Sequence, residues 1–146
     1  MKQINAAKLE ILSCSANEGF ARSSAAAFCA QLDPTLDELG DIKAAVSEAV
    51  TNCIVHAYPD RIGRITMKMR LFDNNSIEIL IKDKGVGISD VERARQPMFS
   101  TGGDDRSGMG FTIMESFMDK LSVKSKPNIG TTVTMRRKIS SKSDTK

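Results

Sequence analysis

The chain has no tryptophan, one tyrosine and one histidine among its 146 residues. Its three cysteines, Cys14, Cys29 and Cys53, form no Cys-x-x-Cys pair. With one histidine to join them, a zinc or disulfide framework has too few partners, so the thiols read as free and mostly core. No apolar run approaches the ~20 residues that a membrane-spanning helix needs. The opening MKQINAAKLEILS lacks the apolar centre of a secretory signal. The expected compartment is therefore the cytoplasm, with no membrane role. Also missing are a G-x-G-x-x-G opening a helix after a first strand and a G-x-x-x-x-G-K-[ST], which sets aside the Rossmann and P-loop nucleotide sites.

The formal net charge of +3 is unevenly placed along the chain. Residues 136–146, RRKISSKSDTK, carry five Lys/Arg and one Asp, a net +4, which leaves the other 135 residues at −1. A basic tail on a near-neutral body is a solvated end more often than a nucleic-acid arm, and no direct nucleic-acid contact is expected. The length suits one core, read as a single domain over residues 1–138 followed by a flexible basic tail, 139–146.

What is present is a clear alternation of helix and strand patterns. LEIL near the start fits a short strand. SANE (Ser15 to Glu18) has the form of a capping box and predicts a helix carrying Phe20, Ala21, Ser24, Ala25, Phe28 and Leu32 at helical spacing. Pro34 ends it. A second helix is predicted from about Thr35 to Ala57, ahead of Pro59. RITMKMRLF alternates apolar and polar residues as a half-buried strand does, DNNS is a hairpin turn, and IEILI is the returning strand. SDVE (Ser89 to Glu92) predicts a capping box and a short helix. STGGDDRSGMG reads as a mobile loop. FTIMESFMDKL is a third main helix with Ile113, Met114, Phe117 and Leu121 as its stripe, and LSVKSKPNIGTTVTMRRK is a final hairpin. The expected class is α+β: a two-layer sandwich with a mixed, mainly antiparallel sheet and helices on one face.

The second helix poses a problem. At ~100° per residue, Leu39, Ile42, Val46, Ala49, Val50, Cys53 and Ala57 form one apolar face. Glu48, Asn52 and His56 follow a ridge that drifts toward its edge. Asparagine is a weaker helix former than Lys, Glu or Ala. A solvated ridge and a functional one are both open on this pattern alone. DKGVGI (Asp83 to Ile88) directly follows a strand, and its glycines allow a sharp turn and a close backbone approach. RSGMGF (Arg106 to Phe111) opens a helix whose N–H groups suit anionic oxygens. Gly130 and Thr131 begin the last strand.

Taken in order, E-x-x-x-N, D-x-G-x-G, G-x-G and G-T resemble the Bergerat-fold ATPases, which include gyrase and the histidine kinases. VSEAVTNCIVHAY, ARQPMFST, RSGMGFTIMESFMD and NEGFAR resemble, more closely, the anti-sigma F factors, serine-protein kinases of spore-forming bacteria. The resemblance implies that ATP or ADP binds with Mg²⁺. By it, Asn52 coordinates the metal, Glu48 acts as general base, and Asp83 receives the adenine amino group beside Gly85 and Gly87. Thr101, Arg106, Ser107, Gly108, Met109 and Gly110 form a lid over the phosphates, with Arg106 offsetting phosphoryl charge. Thr131 and Thr132 close the adenine pocket, and His56 has a supporting role. In the lid, GGDD stands where the family has Lys-Pro and further polar residues.

The same resemblance implies a sigma F partner, an anti-anti-sigma factor phosphorylated on serine, and a homodimer paired through the edge of the LEIL strand. Arg22 is a candidate partner contact, although an ordinary solvated arginine fits its position as well. The alternatives are a stress-response anti-sigma kinase with another sigma partner and a histidine-kinase or gyrase-like ATPase domain. His56, inside the nucleotide motif, is the one histidine, so there is no phosphoacceptor of that type.

Overall fold

In the computed structural model, which describes residues 1–95 and 110–140, the strand patterns become one five-stranded sheet. The strands are β1 (Gln3–Leu12), β2 (Arg64–Phe72), β3 (Ser76–Asp83), β4 (Lys120–Lys126) and β5 (Gly130–Lys138). Their order is β1-β2-β3-β5-β4 and all four pairings are antiparallel. The sheet expected to be mainly antiparallel is thus antiparallel throughout. Helices α1 (Ala16–Cys29), α2 (Leu36–Asn52) and α4 (Gly110–Phe117) form the second layer, with α2 packed between α1 and α4. A single turn, α3 (Val91–Ala94), precedes the undescribed stretch.

Period-two alternation decides which sheet face is buried. Ile65, Met67, Met69 and Leu71 of β2 and Ile77, Ile79 and Ile81 of β3 all point under the helices and are buried. They meet Ile42, Val46 and Val50 of α2 in one cluster. With few aromatics, this core is filled by isoleucine and by Met67, Met114, Met118 and Met135, whose flexible thioethers fit irregular gaps. Each fully buried side chain of this size contributes about 1.5–3 kcal/mol.

Several local expectations change. β1 spans ten residues instead of four, because Ala7, Leu9 and Ile11 continue the apolar face opposite Met69, Met67 and Ile65. Helix α1 starts after Ser15, but the Ser15 side chain makes no capping hydrogen bond. The capping box forms instead at Thr35, whose hydroxyl accepts from the Glu38 N–H while the Glu38 carboxylate accepts from the Thr35 N–H. For α3 the cap is Asp90, not Ser89, with its carboxylate accepting from the Arg93 N–H. The third main helix is shorter than expected. Met118 follows it in the core, and Leu121 belongs to β4.

The chain's end is tied to the helical layer. Ile139 is fully buried, and its N–H donates to the Asn75 carbonyl at 2.8 Å. Ser140 donates its N–H to Glu38 at 2.9 Å and its hydroxyl to the same carboxylate at 3.1 Å. These two residues, assigned from sequence to the tail, pack with the domain. Residues 141–146 lie outside the described part.

Candidate nucleotide site

After Asn52 the second helix changes its winding. Cys53–Ala57 is a π-helical turn in which the Tyr58 N–H reaches back five residues to the Cys53 carbonyl. Widened turns of this kind recur at functional sites. Here the widening leaves the Ala57 carbonyl facing the segment after β3, where it accepts from the Val86 N–H at 3.0 Å. The approach is close enough to require glycine: a Cβ on Gly85 would lie 2.1 Å from the Ala57 oxygen. Gly87 needs its type for a second reason, a φ of +75°, and a Cβ there would meet the Lys126 carbonyl oxygen at 2.1 Å. Tyr58 locks the same region. Its hydroxyl donates to the Arg64 carbonyl and accepts from the Lys84 N–H, both at 2.7 Å.

These contacts enclose a cavity of about 280 Å³. Ala49, Asn52, Cys53 and His56 of the second helix line one side, and Val86, Gly87, Ile88 and α3 line another. Phe111, Thr131, Val133 and Asp83 complete the wall. Asp83 is 5% exposed. Its Oδ1 accepts two backbone bonds, from Gly85 at 2.9 Å and Thr131 at 3.2 Å, while Oδ2 accepts from the Cys53 thiol at 3.5 Å. Burial pushes the Asp83 pKa above its usual 3.8, and the three hydrogen bonds oppose that shift without cancelling it. Burial, with Asp83 alongside, pushes the Cys53 thiol well above its usual range. Among the described residues, two backbone N–H groups hold one oxygen, and the other has a single weak donor.

The predicted residues divide three ways. Asn52, Asp83, Gly87, Thr131 and His56 line the cavity. Gly85 fixes the Asp83 oxygen from behind, and Thr131 is steadied by Ser125, their hydroxyls 2.7 Å apart. Gly110, opening α4, lies against the E-x-x-x-N residues: a Cβ on it would be 3.3 Å from the Asn52 amide atoms and 3.4 Å from Glu48 Oε2. Thr132 is a correction. It alternates with Thr131 and Val133, pairs with Lys82 and Lys124, and so stands on the opposite face of the sheet. Thr101, Arg106, Ser107, Gly108 and Met109, with the expected mobile loop, lie outside the described residues. Arg22 is paired with Glu18 one turn back, at 3.0 Å.

The sequence reading missed the wall made by Ile88, Ser89, Asp90, Arg93 and Ala94. It had no signal beyond the short helix itself. It also placed Cys53 in the apolar stripe without a role, since a donor relationship with a residue thirty positions later has no local trace.

Comparison with known proteins shows the chain's family. A family described as the histidine kinase-like ATPase domain matches residues 15–137. The anti-sigma F factor of Caldanaerobacter subterraneus subsp. tengcongensis is 54% identical over 95% of this chain and 97% of its own length. That of Bacillus subtilis is 49% identical over 93% and 94%. Among solved structures, the RsbU and RsbW domains of a Mycobacterium tuberculosis protein superpose with a TM-score of 0.69 at 16% identity, covering 93% of this chain and 33% of that one. The mycobacterial sensor histidine kinase MprB gives 0.55 at 21%, covering 70% and 74%. Both structural likenesses bear on the fold alone. A cavity built around a buried aspartate, walled by the E-x-x-x-N helix and two glycine turns, thus sits in a chain that is near full-length kin to these regulators: it belongs to the anti-sigma F factor family and carries that family's histidine kinase-like ATPase domain.

Proposed function

We propose that this protein is a serine-protein kinase and anti-sigma factor: it binds sigma F away from RNA polymerase and uses Mg²⁺-ATP to phosphorylate a serine of an anti-anti-sigma factor. The observation that carries the reading is the asymmetry of Asp83. Among the described residues, its Oδ1 accepts from two backbone donors, while its Oδ2 has a single thiol donor, in an apolar cavity. That arrangement suits an amine donor on a flat apolar ring, as the adenine of ATP or ADP supplies.

Asn52 lies on the same wall, with Glu48 one turn earlier beside Gly110. Among the described residues no group of three His, Cys, Asp or Glu stands ready to hold a metal. Mg²⁺ takes one or two protein oxygens and completes its shell with phosphates and water. The Asn52 amide oxygen is the protein ligand. When bound, the metal offsets phosphate charge. Glu48 accepts the proton of the attacking serine hydroxyl, Asp83 orients the base, and the apolar wall keeps water away. In this reading Thr101, Arg106, Ser107, Gly108, Met109 and Gly110 cover the phosphates, with Arg106 offsetting phosphoryl charge. The ATP-bound and ADP-bound forms present different surfaces in this reading, so the nucleotide sets the preferred partner.

The homodimer is part of the proposal. β1 is an edge strand, and Ile4, Leu12 and Phe20 near it are more than half exposed. An open edge with apolar neighbours suits pairing with a second copy. No described helix is long and apolar enough to cross a membrane, and the cytoplasm is the proposed compartment.

The test is calorimetric titration with ATP, ADP and GTP under saturating Mg²⁺, followed by transfer of labelled phosphate to an anti-anti-sigma factor. Uptake of both adenine nucleotides, weak or no uptake of GTP, and label on serine are expected. Absence of adenine nucleotide uptake by the folded chain overturns the proposal.

A further inference from the structure

We propose that the face of the sheet that no described helix covers docks an acidic polypeptide surface. The inference is independent of the nucleotide site, which lies on the helical side. Strand alternation sends one set of side chains away from the core, and the pairing register aligns them in rows. One row runs Glu10, Thr66, Lys82, Thr132, Lys124, and the next runs Lys8, Lys68, Leu80, Thr134, Ser122. Lys68, Lys82, Lys120, Lys124 and Lys138 are exposed, and none belongs to an ion pair among the described residues. The acids on this face, Glu10 and Glu78, each already hold two cations: Glu10 with Lys8 and Arg64, Glu78 with Arg70 and Arg136. Lys8 and Lys68 are directly opposite each other on neighbouring strands, an arrangement of like charges that costs stability. A near-neutral body therefore conceals a strongly basic surface.

The same face argues for the kind of partner. The face cannot read duplex DNA in the major groove: five strands at ~4.8 Å spacing are about 20 Å wide against ~12 Å. That leaves phosphate contacts alone, and the duplex arm of the experiment tests those. Single-stranded nucleic acid needs aromatic platforms. The aromatic ring here, Phe72, is 5% exposed and lies beneath the Arg70 and Arg136 guanidinium groups, 5.0 and 5.2 Å from its centroid. A second copy docking face to face would set lysines against lysines, since a two-fold interface matches a patch with itself. Carboxylates of another polypeptide meet the ammonium groups, with the Thr and Ser hydroxyls between them serving as donors and acceptors.

The experiment uses the full chain and a fluorescent peptide of alternating Glu and Ser, read by anisotropy at several salt concentrations. It is repeated with a single-stranded oligonucleotide and a DNA duplex. The variant Lys68→Gln/Lys82→Gln/Lys124→Gln is compared with Lys142→Gln/Lys146→Gln in the tail. Neutralising three exposed cations together predicts a roughly tenfold weaker peptide affinity for the sheet variant, with a shallower salt dependence and little change for the tail variant. Equal affinity in the sheet variant, weakening in the tail variant alone, or tighter binding of either nucleic acid overturns the proposal. Carbodiimide cross-linking of the peptide to the unaltered chain gives a second reading that needs no folded variant: adducts on Lys68, Lys82 or Lys124 support it, and adducts confined to the tail overturn it.

Discussion

The Cys53 sulfur stands 3.5 Å from Oδ2 of Asp83, the carboxylate oxygen that no described backbone N–H reaches. Cys53 follows Asn52 directly, so one turn of helix holds both the proposed metal ligand and a donor to the proposed adenine receptor. The two ends of the proposed nucleotide site are thereby set by adjacent residues.

The pH dependence of nucleotide binding follows from this pair. Burial raises the Asp83 pKa, and its hydrogen bonds, the thiol's among them, lower it. An acid with a raised native pKa binds its proton more readily folded than unfolded. Its ionised form therefore costs stability at neutral pH, and that cost is relieved as pH falls through the native value. Binding an amine donor needs the ionised form. ATP affinity should fall as pH drops through the raised native pKa, still above 3.8. Cys53→Ala removes a lowering hydrogen bond and should move that fall to higher pH. Asp83→Asn should weaken ATP by roughly 10- to 100-fold, the cost of losing a charge-assisted bond. Calorimetry across a pH series checks all three, and a pH-independent affinity would count against the adenine assignment.

Asn52→Ala should abolish Mg²⁺-dependent phosphoryl transfer, because it removes the proposed protein oxygen at the metal. Glu48→Gln should retain ATP and lose transfer by roughly 10²- to 10⁴-fold, the usual contribution of a general base. Single-turnover transfer beside equilibrium ATP binding separates the two effects. Unchanged turnover in Glu48→Gln would make that residue structural.

Gly85→Ala should destabilise the fold by about 1–3 kcal/mol, as overpacking does. The new methyl would lie 2.1 Å from the Ala57 carbonyl oxygen, which is backbone and cannot rotate aside. Val86→Ala, whose N–H still reaches Ala57, should have a much smaller effect. Denaturant midpoints of the two variants give the comparison.

Glu38→Ala should cost about 0.5–2 kcal/mol from the lost capping interaction, with a further loss from release of Ser140. Burial acts to raise the Glu38 pKa, but bonds from Thr35 and Ser140 outweigh it, and the native value lies below 4.5. The stability Glu38 contributes is present above 4.5 and lost as pH falls through the native pKa. The wild-type unfolding midpoint should fall toward the variant's in that acid window.

The legible parts of the fold were those with a local cause. RITMKMRLF and IEILI alternate so regularly that both strands, their turn and their buried faces could be read directly. The second helix was legible from its apolar stripe, except that its last turn widens into a π-turn to meet the segment after β3. Capping boxes were misread at Ser15 and Ser89 because the pattern does not say which side chain docks. Thr35 and Asp90 did. For the proposed site, Asp83, Asn52, Gly85 and Gly87 were named through the family resemblance, since type and spacing alone left a solvated ridge equally open. Thr132 was misplaced by one step of a two-residue period, which sends its side chain through the sheet to the other face.

By itself, then, the sequence determined the elements and, through its resemblance, named the residues of the proposed site. Periodicity, glycine at forced approaches and the E-x-x-x-N spacing act over a few residues. Tertiary structure alone decided which groups meet: Cys53 with Asp83, Ala57 with Val86, Glu38 with Ser140, and the lysines of five strands on one surface. Those pairings depend on strand register and helix docking, and both are settled by burying one shared core rather than by any local pattern.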